Sequence, residues 1–192
     1  MAVKIDKALN LVVPVETEAH GTVYVHSTPI RTETFKRYFL LISKTLNNIY
    51  AEGIHTVAGP RVASLMLQSV AGERGENGAP TQAEELLAEI RRLTTVQVWG
   101  ENGWETMMLD VAKSRGVLDE DEADEAEGFI VFFTCIFHVH RKTEISAFLQ
   151  PMQTLWGTQT TSLNATEYRV SLPTLTPPEA FTPTVPPSSI PI

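Results

Sequence analysis

The side chains best suited to acid–base, nucleophilic or metal chemistry are five histidines and a single cysteine. His138 and His140 are two residues apart, which places them on different sides of a helix, whereas a helical metal pair needs a spacing of four. Cys135 and His138 share a helix face, but apolar surroundings keep a thiol protonated and no residue follows that would orient the imidazole. We therefore predict no catalytic, metal or cofactor site in these groups and interpret Cys135 as structural.

Three other segments resemble reactive motifs but lack their defining residues. The acidic run at 119–122 has neither the alternating ligands nor the central glycine of a calcium loop. The glycine-rich segment 71–80 is not followed by the Gly-Lys-Ser/Thr of a phosphate-binding loop. No serine sits in a Gly-x-Ser-x-Gly elbow. The sequence therefore predicts a protein that is not an enzyme and needs no cofactor.

The elements that would position such groups are organised around the almost unbroken apolar run at 129–139. Its flanks favour a helix at 120–142, because Asp119 and Glu122 have capping-box spacing and acid accumulates where a helix N-terminus is positive. The apolar part has about half of the ~20 residues needed to cross a bilayer. We interpret it as a central core helix; its aromatic and β-branched residues keep a buried strand as the alternative.

The remaining patterns predict an α+β, mainly helical fold with two short hairpins packed on a helical core. The β-rich hairpins are expected at 9–28 and 95–108, with Pro14 marking an edge strand and Asn102-Gly103 a turn. We interpret 1–171 as one globular domain and 172–192 as an extended Pro/Thr/Ser-rich tail, and leave 158–171 unassigned. Helices are predicted at 32–52, 60–70, 81–93, about 109–115, 120–142 and 144–156. On the second of these the expected apolar stripe is Val62, Leu65, Met66 and Val70, and Thr81 and Glu84 have capping-box spacing at the start of the third.

The helix at 32–52 has the clearest apolar periodicity in the chain. Its seam is more typical of a core face than of a coiled coil, which usually needs three or four heptads, so an oligomer seam is the alternative. The seam contains Phe35, Phe39, Ile42, Leu46 and Ile49, and is widened by Tyr38, Leu41 and Tyr50. Trp99 and Trp104 flank the predicted turn of the second hairpin; we favour a cross-strand packing contact over a platform for a sugar or partner.

Composition limits the class of partner. A formal net charge of −8 argues against nucleic-acid binding, which needs a clustered basic face. One cysteine is compatible with a reducing compartment. The N-terminal residues lack the apolar segment of a signal peptide, so we expect a cytoplasmic protein with no membrane partner.

Four short segments resemble the tail assembly chaperones of long-tailed, lambda-like bacteriophages. They are Lys-Ala-Leu-Asn-Leu-Val at 7–12, Val-Tyr-Val-His-Ser at 23–27, Ala-Gly-Pro-Arg-Val-Ala at 58–63, and the segment from Leu155 to Asn164. The layout is similar too: a hairpin, a charged amphipathic helix, a mostly helical middle and a Pro/Thr/Ser tail.

The resemblance implies a non-enzymatic protein of the host cytoplasm that binds the phage tape measure protein and keeps it soluble before the tail tube polymerises. Tail tube proteins would be further partners, and self-association into a homo-oligomer stays open. A partner-binding surface is expected on the 32–52 helix at Phe35, Tyr38, Phe39 and Tyr50, since aromatic residues are enriched at interface hot spots. The alternative is a structural virion component, a connector or minor tail protein, whose C-terminal tail wraps a neighbour.

Overall fold

A computed structural model describes residues 4–5, 10–72, 78–139 and 164–172 of the 192-residue chain. Five antiparallel strands form one sheet in chain order: β1 (Lys4–Ile5), β2 (Leu11–Thr17), β3 (Gly21–Ser27), β4 (Thr94–Gly100) and β5 (Gly103–Met108). The helices of this part of the chain are α1 (Thr32–Ala51), α2 (His55–Ala71), α3 (Gln82–Arg92), α4 (Leu109–Ser114), α5 (Glu120–Val139) and α6 (Ala165–Ser171). The α+β, mainly helical class is therefore confirmed.

Both predicted hairpins are present. β2 and β3 pair from Leu11↔Ser27 to Thr17↔Gly21, and β4 and β5 pair out to Gly100↔Gly103 around a two-residue turn. Pro14 is opposite Tyr24. β1 pairs only with Leu11 and Val12, so Pro14 lies beyond the end of β1 on the outer side of the sheet, where a missing N–H is tolerated.

The core lies between one face of the sheet and the helices. Because side chains alternate along a strand, Val23 and Val25 of β3 and Val96 and Val98 of β4 point to the same side, where all four are buried. The same core includes Ile42 and Ile49 of α1 and much of α5. The apolar run is thus a helix buried nearly all round, as the favoured interpretation predicted, and Phe133 in its middle is 1% exposed.

The N-terminus of α5 carries the predicted reciprocal cap. The Asp119 N–H donates to Glu122 Oε2 at 2.8 Å, and the Glu122 N–H donates to Asp119 Oδ1 at 2.8 Å. The acidic run therefore satisfies the free N–H groups of a helix start. The predicted box of Thr81 and Glu84 likewise starts α3.

Helix α2 differs from its prediction. It begins at His55, five residues before the expected start at Pro60, so Pro60 lies inside the helix and not in its first turn. The predicted stripe was also wrong at Leu65, which is largely exposed, whereas Ala63 and Leu67 are fully buried. The prediction failed because the buried side of α2 includes small residues such as Gly59, Ala63 and Ser64, which a pattern of large apolar residues does not indicate.

Helices α2 and α5 pack closely because each has a glycine at the contact. A Cβ added at Gly128 would overlap the carbonyl oxygen of Pro60, and a Cβ added at Gly59 would overlap the ring of Phe132. Side chains larger than hydrogen would therefore push the two helices apart.

A bidentate ion pair ties α3 to α5 beside this core. Arg91 Nε donates to Glu127 Oε2 at 2.5 Å and Arg91 Nη2 donates to Glu127 Oε1 at 3.2 Å. Glu127 is buried, so Arg91 neutralises a carboxylate that would otherwise be costly inside the protein.

The second face of the sheet is mixed polar and aromatic. Tyr24 and His26 of β3 point to it, and Tyr168 of α6 lies over them with ring centroids 5.7 and 6.2 Å away. α6 falls in the segment for which no element was predicted, and Asn164 caps it by accepting from the N–H groups of Thr166 and Glu167.

The predicted helix at 144–156 lies outside the described residues, as does the predicted tail from 173 onward. In the described ranges, no helix combines the length and the apolar character that crossing a membrane requires.

Candidate partner-binding surface

The histidines and the cysteine are not assembled into a reactive site in the part of the chain the structure describes. Burial raises the pKa of the Cys135 thiol to about 12, so the thiolate is not available near neutral pH. Among the described residues, His138 Nε2 is buried without a hydrogen-bond partner, so no group there orients this nitrogen for acid–base chemistry. His20 is in the exposed turn of the first hairpin, while His26 is buried on the second face of the sheet.

Metal-binding geometry is equally lacking within the described ranges. No three His, Cys, Asp or Glu side chains there come together as ligands. The side chain of His55 and all of His140 lie outside the described residues.

Trp99 and Trp104 pair directly across β4 and β5. Their ring centroids are 5.4 Å apart and the ring planes meet at 76°, an edge-to-face contact. Tyr24 on the neighbouring strand extends the group, 5.6 Å from Trp104. The predicted cross-strand packing contact is confirmed.

The four residues predicted to bind a partner occupy different environments on α1. Tyr38 is 5% exposed and its hydroxyl donates to Glu85 Oε2 on α3 at 2.8 Å, so the expectation of an exposed anchor at this position was wrong. Burial, and then the bond to Glu85, raise the pKa of Tyr38. Tyr50 and Phe35 are half-buried against the core, and Tyr50 too is not an exposed anchor. Phe39 is 46% exposed.

Phe35 and Phe39 form an aromatic pair at the surface. Their centroids are 5.7 Å apart with the planes at 88°, and the His138 ring of α5 lies against Phe35 with centroids 5.2 Å apart and the planes tilted by 35°. The helix seam is thus buried in its second half, at Ile42, Leu46 and Ile49, and open in its first half. At the boundary, the backbone of Tyr38 leaves helical values (φ −105°, ψ 16°) and kinks α1.

An apolar cleft adjoins this pair. It is shallow, with a volume of about 10 Å³, and lies between α5, the start of β2 and the end of β3; His138 lies at the boundary between the cleft and Phe35. Burial lowers the pKa of His138, so the ring is neutral at pH 7 and the site is apolar. The cleft is lined by Leu11, Pro29, Ile130, Phe133, Phe137 and His138, together with Ser27, Thr28 and Thr134.

We define the aromatic surface as Phe35, Phe39 and His138. The sequence pattern identified the two phenylalanines but not His138, which comes from an element about 100 residues later in the chain. No sequence signal links His138 to Phe35. The pattern also missed Leu40, which is 69% exposed and lies next to the aromatic surface on α1.

No known protein family, no curated protein sequence and no solved structure matches the chain.

Proposed function

We propose that this chain is a non-enzymatic tail assembly chaperone of a long-tailed phage. In this role it acts in the host cytoplasm, binds the tape measure protein and keeps it soluble until tail tube proteins polymerise around it. The structural observation that supports the proposal is that Phe39 is exposed beside Phe35 on α1. The short segments that resemble such chaperones support it on the sequence side.

The aromatic surface suits an amphipathic helix as its partner. A helix presents apolar side chains at intervals of three and four residues, and such a stripe binds where an apolar groove receives it. Phe39 supplies a large exposed ring, Phe35 supports it, and the shallow cleft beside His138 extends the apolar surface. Tape measure segments are expected to be long amphipathic helices without a folded partner before the tube forms.

The test is co-expression of this chain with a tape measure segment that aggregates when expressed alone. We expect the wild-type chain to keep the segment in the soluble fraction. Phe39→Asp should abolish this effect, because a carboxylate at the centre of an apolar contact would be desolvated without a partner.

Val111→Asp is the matched control, since Val111 is a comparably exposed apolar residue on α4. Both variants should keep the circular dichroism spectrum of the wild type. If Phe39→Asp protects the segment as well as Val111→Asp does, the aromatic surface is not the binding site. Recovery of the wild-type chain as a stoichiometric component of purified particles would favour a structural virion protein instead.

A further inference from the structure

A basic stripe with an apolar centre runs along the solvent face of α1. Between Phe35 and Asn48 this helix contains three basic residues and no acidic one, although the whole chain has a net charge of −8. Lys36, Leu40 and Lys44 are spaced by four, so they lie in one row, and all three are exposed. In the part of the chain that the structure describes, no carboxylate lies within ion-pair distance of Lys36 or Lys44.

The opposite arrangement occurs in a groove between α2 and α5. The groove is open to solvent and has a volume of about 370 Å³, and Leu65, which is 65% exposed, lies in it. Three carboxylates line the groove, from Asp121, Asp124 and Glu125, against one basic side chain, that of Arg61. Asp124 is 3.8 Å from Lys113, but Asp121 and Glu125 have no such partner among the described residues.

The two surfaces match in both charge and apolar content. Each has one strongly exposed leucine flanked by unpaired charges, and the charges are of opposite sign. Opposite charges arranged in this way orient two surfaces, while burial of the leucines removes apolar area from water.

From this complementarity we infer that the chain binds a second copy of itself, with the α1 stripe of one copy in the α2–α5 groove of the next. Because the two surfaces are different parts of the chain, the contact is heterologous and leaves one stripe and one groove free. Further copies can therefore add in the same orientation. This inference does not depend on the proposed function, and it uses Lys36, Leu40 and Lys44 and not the aromatic surface.

The experiment is analytical ultracentrifugation of the full chain and of charge-reversed variants. The wild type should sediment as a concentration-dependent series of oligomers at low salt and dissociate at high salt, because exposed charges are screened there. Lys36→Glu with Lys44→Glu makes stripe and groove both acidic, and Asp121→Lys with Glu125→Lys makes both basic. Each of these two variants, measured alone, should sediment as a monomer.

An equimolar mixture of the two charge-reversed chains should restore the oligomers, since every stripe then meets a groove of opposite sign. Glu18→Lys with Glu101→Lys, at two exposed hairpin turns, is the matched control for charge and should behave as the wild type. If a charge-reversed chain does not fold, the variants Leu40→Ser and Leu65→Ser are used in its place. Each of these two variants should remain monomeric. A monomeric wild type at low salt, a mixture that stays monomeric, or equal loss in the control would overturn the inference.

Discussion

His138 shows how one half-buried side chain can make the stability of this fold depend on pH. Its imidazole lies against Phe35, and no other titratable side chain among the described residues lines the cleft beside it. Burial lowers its pKa below the usual 6.5, so the native state resists taking up a proton that the unfolded chain accepts. The free energy of unfolding is therefore unaffected by this group above about pH 6.5. It falls as the pH drops from there toward the lower pKa of the folded state.

We expect the free energy of unfolding of the wild type to decline on acidification from pH 7 to pH 5. For one proton the slope cannot exceed about 1.4 kcal/mol per pH unit. His138→Leu should reduce this slope, and His20→Leu, at an exposed turn, should leave it unchanged. Urea unfolding at several pH values measures this slope. Equal slopes in the wild type and His138→Leu would show that the pKa of His138 is the same in the folded and unfolded states, and would contradict the prediction.

At the scale of elements, the local patterns predicted most of what the structure contains. Capping boxes, hairpin turns and helix periodicity depend on residues a few positions apart, so Asp119–Glu122 and Thr81–Glu84 could be recognised in advance. The side that an element buries depends on its neighbours in space. Tyr38 was misplaced because its partner, Glu85, belongs to α3, and Leu65 because the side of α2 that is buried is set by its contact with α5.

The α2–α5 contact is an example of a tertiary constraint that periodicity did not indicate. Gly128→Ala should destabilise the protein by about 2 kcal/mol or more, because the added methyl overlaps a backbone carbonyl of α2 that has no rotamer to change. This is the opposite of the ~1 kcal/mol gain that Ala brings over Gly inside a helix. Thermal or urea unfolding measures the difference.

Glu125→Ala, on the exposed side of the same helix, is the control and should stay within about 0.5 kcal/mol of the wild type. A Gly128→Ala variant as stable as that control would mean that α2 and α5 can separate freely, and that the core is looser than this packing implies.

On the scale of the whole molecule, the chain has two separate candidate binding surfaces. The aromatic surface on α1 and α5 is apolar, so its complex with a tape measure helix should persist at high salt. The charged stripe and groove should be sensitive to salt. The net charge argued against nucleic acid in advance, and the resemblance to a family implied a protein partner, whereas the exposure of Leu65 on α2 required the packed structure.

Binding of the tape measure protein by this chain is tested most directly by a pull-down of a soluble tape measure segment with the tagged chain, at moderate and at high salt. We predict recovery of the segment at both salt concentrations, and its loss with Phe39→Asp but not with Val111→Asp. Absence of the segment from the wild-type eluate, under conditions in which both proteins are soluble and folded, would contradict the claim.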